Sequence, residues 1–148
     1  MSDRPTIVCL CGSTRFIEAF FAAGWELTLC GQIVLSVGVC KHADADGAHG
    51  GETLGPEVVR ALDELHFRKI DLADWVLVLN VKGYYGESTA REIAYAESLN
   101  KPLEYLYPNW ARQNSPPLAD DIAELWDTFR GAARWANDRR GRMPEAKA

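Results

Sequence analysis

The chain lacks paired cysteines and an excess of basic residues, and each absence disfavours a large class of proteins. Its 148 residues include four cysteines, none of which forms a Cys-x-x-Cys pair. Free thiols in a reducing cytosol are the simplest interpretation of that pattern. Lys and Arg total 16 against 21 Asp and Glu, a formal net charge of −5. This balance disfavours a general binding surface for nucleic acid polymers.

Apolar runs long enough to cross a bilayer are also missing. The longest runs are of strand length, and the first residues, Met1 to Pro5, are polar with no long apolar core after them. We therefore expect no transmembrane helix, no signal peptide and no membrane partner, and we place the chain in the cytoplasm.

Strand-like and helix-like segments alternate along the chain. Such alternation predicts a single α/β domain over residues 1–136 with a doubly wound, mostly parallel sheet. An amphipathic helix is added at its C-terminal end, and the charged residues 137–148 are expected to form a disordered tail. The predicted strands are Thr6–Cys11, Gln32–Val39, Trp75–Val81 and Leu103–Tyr107, and the predicted helices are Phe16–Leu29, Glu57–Ile70, Ser88–Asn100 and Leu118–Trp135.

The segment 69–100 is the one around which the chain is organised. Trp75–Val81 is almost continuously apolar, as expected of a parallel strand covered on both faces. Gly83–Gly86 then interrupts the pattern with Tyr84 and Tyr85, which can stack on a base. Because ligands in open α/β folds bind at the carboxyl ends of strands, this loop is expected to face a ligand.

Glu92 has two interpretations on local sequence. Thr89-x-x-Glu92 fits a capping box, in which the carboxylate only bonds the backbone N–H of Thr89. Alternatively, the nearby helix N-terminus lowers the pKa of the carboxyl group and keeps it ionised at pH 7. An ionised carboxylate beneath a sugar ring can attack an anomeric carbon.

A second candidate binding element follows the first strand, at Gly12-Ser13-Thr14-Arg15. A small, hydroxyl-rich turn between strand and helix can turn backbone N–H groups toward an anion, and Arg15 can add a fork of donors. The simpler interpretation is an ordinary turn in which Ser13 or Thr14 caps the helix.

The second helix is expected to bury one apolar stripe. That stripe comprises Val58, Leu62, Leu65 and Ile70. His66, one turn past Leu62, is either a partly buried residue near the helix end or a catalytic group.

The segment 40–56 has four glycines and almost no apolar content, which is typical of a solvated loop or a lid. Its four polar residues of ligand type match no metal-binding motif, so we expect neither a metal ion nor a cofactor. These residues are His42, Asp44, Asp46 and His49.

Three motifs in order resemble the nucleoside 2-deoxyribosyltransferase-like superfamily, which includes deoxyribosyltransferases and nucleoside 5′-monophosphate N-glycosidases. They are Gly12–Arg15, Ala73–Val76 at the entry to the central strand, and Ser88–Ala96. The resemblance covers roughly residues 7–106 and implies a flavodoxin-like fold, cleavage of an N-glycosidic bond and a homo-oligomer with shared active sites.

The resemblance also implies roles for individual residues. It places the nucleophile on Glu92 and the contacts to sugar or 5′-phosphate on Ser13 and Arg15, with Ser88 as a further phosphate contact. Many members carry an Asp that assists the leaving base, and the matching position here is His66, whose imidazole can serve as the acid. Glu87 adds a carboxylate that either shares these roles or faces solvent.

The expected function is therefore hydrolysis or deoxyribosyl transfer on a nucleoside or nucleoside 5′-monophosphate. The departure at His66 leaves a second hypothesis open, a non-catalytic nucleotide-binding or sensing domain on the same fold. The candidate catalytic residues are Glu92, His66 and Glu87, and the candidate substrate-binding residues are Gly12, Ser13, Thr14, Arg15, Tyr84, Tyr85 and Ser88.

Overall fold

The computed structural model describes residues 4–38 and 55–117. The predicted C-terminal helix, the charged tail and most of the segment 40–56 lie outside these residues. The elements are β1 (Ile7–Gly12), α1 (Ile17–Leu29), β2 (Ile33–Leu35), α2 (Pro56–Leu72), β3 (Trp75–Leu79), α3 (Glu87–Ser98) and β4 (Leu103–Tyr105). Within the described part of the chain, no helix is both long and apolar enough to pass through a membrane.

The four strands form one parallel sheet in the order β2-β1-β3-β4. This arrangement confirms the predicted doubly wound α/β fold of flavodoxin-like or Rossmann-like type. Val8 lies opposite Trp75 and Gly12 lies opposite Leu79, so β1 and β3 end at the same edge of the sheet. The order of strands reverses direction between β1 and β3, and ligands of such folds bind at this point.

Both faces of the sheet are covered, which explains the continuous apolar pattern of β3. Alternate residues of a strand point to opposite faces. Val8 and Leu10 of β1 therefore pack with α1, whereas Cys9 and Cys11 lie in the second layer. That second layer also contains buried residues of α2 and α3, among them Ile70, Ile93 and Ala96.

Three predicted strands end earlier than expected, and one of them is β4, which ends at Tyr105 rather than Tyr107. β2 has three residues because it is an edge strand paired only with Ile7–Cys9 of β1. β3 ends at Leu79, and Val81 belongs to a short 3-10 turn over Val81–Gly83. In that turn Lys82 and Gly83 both have positive φ, of 50° and 84°, which no strand can accommodate.

The predicted inner stripe of α2 is wrong for three of its four residues. Val58, Leu62 and Leu65 are 48%, 52% and 52% exposed, and only Ile70 is buried. The face of α2 that meets the rest of the domain instead carries His66, one turn before Ile70. Helical periodicity identifies the more apolar face of a helix, but here the less apolar face packs inward because His66 joins a buried cluster of polar side chains.

Asn80 joins the chain leaving β3 to the chain leaving β4. Its side-chain amide donates to the carbonyl of Tyr107 at 3.0 Å, and its side-chain oxygen accepts from the N–H of Tyr107 at 2.9 Å. Asn80 and Tyr107 are both buried. The two bonds therefore fix the point from which the loop toward Gly86 departs.

Asn80→Ala should destabilise the domain by about 2–4 kcal/mol, because it removes two buried hydrogen bonds to the backbone of Tyr107. The free energy of unfolding in urea, followed by circular dichroism, measures the effect. Asn114→Ala, a change of the same kind at an exposed position, should be close to neutral. Equal stabilities of the two variants would contradict this account of Asn80.

Candidate active site

Glu92 lies in the second turn of α3, so the capping-box prediction is wrong. The helix begins at Glu87, and Gly86 is its N-cap residue without a side-chain capping bond. Thr89 is a buried residue inside the helix rather than the residue before it. The N–H of Ala90 already donates to the carbonyl of Gly86 at 3.0 Å, so the helix starts about three residues earlier than a Thr89 cap requires.

The carboxylate of Glu92 faces the imidazole of His66. The Oε2 atom of Glu92 lies 3.7 Å from Nε2 of His66, and the two side chains are 12% and 7% exposed. Oε2 itself is fully buried and has no hydrogen-bond partner among the described residues. The structure therefore brings together two of the three predicted catalytic residues, although 26 positions separate them in the chain.

Two cysteines of β1 complete the surroundings of His66. Nε2 of His66 lies 3.6 Å from Sγ of Cys9 and 3.5 Å from Sγ of Cys11. The two cysteines are two residues apart in a strand and therefore point to the same face of the sheet. We call Cys9, Cys11, His66 and Glu92 the His66 cluster. Sequence reasoning treated both thiols as inert, although their spacing already placed them on a shared face.

Burial sets the protonation of the carboxylate. It raises the pKa of Glu92 to about 6, against the opposing effect of a positive charge on His66. The expected lowering by the helix N-terminus is wrong in direction, because Glu92 is buried and lies beyond the first turn, to which the effect of the helix end is confined. A pKa of about 6 still leaves most of the carboxyl groups ionised at pH 7.

The other members of the His66 cluster shift one another's pKa values. A hydrogen bond with Cys11 and interactions with His66 lower the pKa of the Cys9 thiol to about 6 despite its burial. The same hydrogen bond and burial raise the pKa of Cys11. Burial disfavours a charged His66, yet the neighbouring Cys9 and Glu92 raise the pKa of His66 above its ordinary value. These shifts favour a proton on His66 and its loss from Cys9.

The loop after β1 begins at Ser13, two residues after Cys11 of the cluster. The Ser13 hydroxyl accepts a hydrogen bond from the backbone N–H of Arg15 at 3.3 Å, so Ser13 caps the 3-10 turn Thr14–Phe16 as the simpler interpretation expected. The side chain of Arg15 is exposed, and that of Thr14 is partly buried. Gly12 packs closely on β3, since a Cβ there would lie 3.0 Å from the Cβ of Leu79.

The two tyrosines of the second loop lie on opposite faces of the sheet. Tyr84 packs against the α1 layer and makes an edge-on contact with Phe16, with 6.1 Å between the ring centroids. Tyr85 packs against the other layer, and the guanidinium of Arg112 lies over its ring at 4.5 Å. Tyr84 is therefore the tyrosine next to the loop after β1, whereas Tyr85 is next to Arg112.

The structure does not bring Glu87 to Glu92. Glu87 is 83% exposed and pairs with Arg112 at 3.2 Å. Five positions along a helix correspond to a rotation of about 140°, so the two carboxylates point in different directions. Ser88 is also exposed, and its hydroxyl accepts a hydrogen bond from Arg91 at 3.1 Å. Both side chains thus face solvent at the start of α3.

Within the described ranges, the donor atoms of Cys9, Cys11 and His66 are near enough to share a metal ion, lying within 4.8 Å of one another. The segment 40–56 contains four further residues of ligand type, which lie outside the described residues: His42, Asp44, Asp46 and His49.

Comparison with known protein families and with curated proteins finds no match to this chain.

Gly83 makes the turn toward the second loop possible. Its φ is +84°, and a Cβ at this position would overlap the carbonyl oxygen of Ala111. Its carbonyl also accepts from the N–H of Gln113 at 2.9 Å. The backbone of residues 111–113 therefore packs directly on this glycine.

Gly83→Ala should lower the free energy of unfolding by about 1–3 kcal/mol, because alanine is strained at positive φ and has no room here. Gly24→Ala is the matched control. Gly24 lies inside α1 with open space around the position of a Cβ, so alanine there should leave stability unchanged or raise it by about 0.5–1 kcal/mol. Urea midpoints measure both, and a neutral Gly83→Ala would overturn this assignment.

Proposed function

We propose that this protein cleaves the N-glycosidic bond of a nucleoside 5′-monophosphate or nucleoside and releases the free base. The observation that carries the proposal is the buried contact between Glu92 and His66 next to the end of β1. Its support is chemical: a carboxylate and an imidazole held together are the nucleophile and the acid that this cleavage requires. The resemblance of the three sequence motifs to N-glycosidases and deoxyribosyltransferases points to the same reaction.

In the proposed reaction, the ionised carboxylate of Glu92 attacks C1′ of the sugar and forms an ester. The electrons of the C1′–N bond pass to the leaving base, which takes a proton from the imidazolium of His66. Water or a second base then attacks C1′, the ester breaks and Glu92 is released as a carboxylate. When water is the acceptor, its proton returns to His66.

The first loop supports a phosphorylated substrate. Arg15 offers an exposed guanidinium in the 3-10 turn Thr14–Phe16 that follows β1. Guanidinium and phosphate form paired, charge-assisted hydrogen bonds. A 5′-phosphate held there favours the hydrolase over the transferase and a single nucleotide over a polymer. We assign the reaction to the cytoplasm, consistent with Cys9, Cys11 and Cys30, which form no disulfide within the described residues.

Glu92→Gln should reduce base release by on the order of 10³-fold or more, because an amide cannot act as the anionic nucleophile. A panel of nucleosides and 5′-monophosphates, with and without an acceptor base, is assayed by chromatography. Glu97→Gln, which changes an exposed carboxylate on the same helix, should retain wild-type rates.

Full activity of Glu92→Gln would exclude Glu92 as the nucleophile. Tight nucleotide binding by the wild-type protein in calorimetry, without base release during long incubation, would instead select the non-catalytic nucleotide-binding or sensing domain.

The proposed enzyme is a homo-oligomer in which the exposed apolar face of α2 meets a second copy of the chain. Val58, Leu62 and Leu65 follow helical spacing and form one continuous stripe on the outer face. Such a stripe can pack against its own copy across a two-fold axis. This proposal agrees with the assembly that the sequence resemblance implies.

Leu62→Glu should convert the oligomer to a monomer in light scattering, because it buries a charge in the proposed interface. Trp25→Glu is the control, since it places the same charge on an exposed apolar position of α1, on the other side of the sheet. A monomeric wild-type protein, or an oligomer that Leu62→Glu leaves intact, would exclude a second copy at this face.

A further inference from the structure

The His66 cluster has the dimensions of a metal site. From Nε2 of His66, the distances are 3.6 Å to Sγ of Cys9, 3.5 Å to Sγ of Cys11 and 3.7 Å to Oε2 of Glu92. In a tetrahedral zinc site with thiolate, imidazole and carboxylate ligands, neighbouring donor atoms are roughly 3.3–3.8 Å apart. The three distances from Nε2 fall in that range, and the donor atoms of Cys9, Cys11 and His66 all lie within 4.8 Å of one another.

Glu92 supplies a second, independent observation. Its Oε2 atom is buried and accepts no hydrogen bond among the described residues, although it lies 3.7 Å from Nε2 of His66 and its carboxyl group also interacts with the thiol of Cys11. A carboxylate oxygen removed from water without a partner is costly, and an ion is one of the few groups that can satisfy it. This atom lies 3.7 Å from the imidazole nitrogen that also contacts both thiols, so we add it to the three donor atoms of Cys9, Cys11 and His66.

The strand geometry distinguishes a metal site from a disulfide. Cys9 and Cys11 are two residues apart in β1, so their Cα atoms are separated by about 6.6 Å and their side chains point in parallel. A disulfide requires side chains that converge, with Cβ atoms about 3.5–4.5 Å apart, which parallel side chains two positions apart do not reach. Two parallel thiols with an imidazole between them suit a shared cation better than they suit an S–S bond.

We propose that Cys9, Cys11, His66 and Glu92 bind one thiophilic divalent cation, of which Zn²⁺ is the best fit. The ligand atoms are the two Sγ atoms, Nε2 of His66 and Oε2 of Glu92. Two sulfur ligands with one nitrogen and one oxygen favour zinc over magnesium or calcium, which prefer oxygen ligands. The cation would connect β1, α2 and α3, because each element contributes at least one ligand.

The metal-bound state and the proposed glycosidase state exclude each other. A Glu92 carboxylate bound to zinc cannot attack C1′, and an imidazole whose Nε2 is bound to zinc cannot deliver a proton from that atom. Zinc is therefore an inhibitor of the proposed reaction. This consequence rests on the proposed function, whereas the binding of the metal does not.

The test titrates Co²⁺ into the full-length chain, purified with chelator and reductant, as a spectroscopic substitute for Zn²⁺. We expect one Co²⁺ per chain, a thiolate-to-cobalt charge-transfer band and the intense visible bands of tetrahedral cobalt, all removed by Zn²⁺. The thermal midpoint of unfolding should rise with Zn²⁺, as expected for a ligand that binds only the folded state.

A double variant, Cys30→Ser with Cys40→Ser, serves as the control because it leaves Cys9 and Cys11 as the only thiols. Cys30 belongs to the core layer on the other face of the sheet. The double variant should keep the cobalt spectrum. Cys9→Ser, Cys11→Ser and His66→Gln should each weaken Zn²⁺ binding by at least about tenfold, with folding checked by circular dichroism.

Glu92→Gln keeps both thiols and the imidazole, so it remains informative if a cysteine variant does not fold. It should retain the charge-transfer band and bind Zn²⁺ more weakly. An octahedral cobalt spectrum without the charge-transfer band, or unchanged Zn²⁺ affinity in Cys9→Ser and Cys11→Ser, would overturn the proposal. Base release is then measured with Zn²⁺ and with chelator. A tetrahedral cobalt spectrum in a protein that releases no base would refute only the glycosidase. Base release that Zn²⁺ does not inhibit, in a protein without the cobalt spectrum, would refute only the metal site.

Discussion

The alternation of side chains along β1 determines most of this structure. β1 pairs with a strand on each side, so every one of its residues must point to one of two covered faces. Val8 and Leu10 supply one face with aliphatic groups, while Cys9 and Cys11 give the other face two polarisable thiols. A shift of β1 by one residue would exchange these sets and would separate His66 from its sulfur neighbours.

The second layer therefore combines an apolar core with a buried polar cluster. His66 and Glu92 come from two helices and meet over the thiols of the strand, so they fix the position of both helices relative to the sheet. Buried polar groups of this kind are costly unless they satisfy one another or bind a ligand. The Oε2 atom of Glu92 has no hydrogen-bond partner among the described residues, so the hydrogen bonds of this cluster are incomplete. Such unpaired polar atoms are common where a site has a chemical function.

The fold class could be predicted from the sequence because the apolar runs and helical stripes alternate clearly. The continuous apolar composition of Trp75–Leu79 indicates that both faces of this strand are buried. The candidate site could be predicted only in part. The contact between Glu92 and His66 depends on how α2 and α3 pack, and no local pattern encodes that packing. The same limit explains two wrong predictions. The spacing of Thr89 and Glu92 favoured a capping role for Glu92, but this spacing does not show where α3 begins. The apolar pattern of α2 likewise does not show which face of the helix packs against the domain.

Helix α2 presents different sets of side chains on its two sides. Its inner face presents His66 to the cluster, and its outer face presents the stripe of Val58, Leu62 and Leu65 to solvent. A helix moves as a rigid unit over this length, so a partner that shifts the outer face also shifts the imidazole. A displacement of about 1 Å is enough to change a catalytic rate by about 100-fold or to spoil a coordination distance. If the outer stripe binds a second copy of the chain, as proposed, then that association and the geometry of the His66 cluster are mechanically coupled through α2.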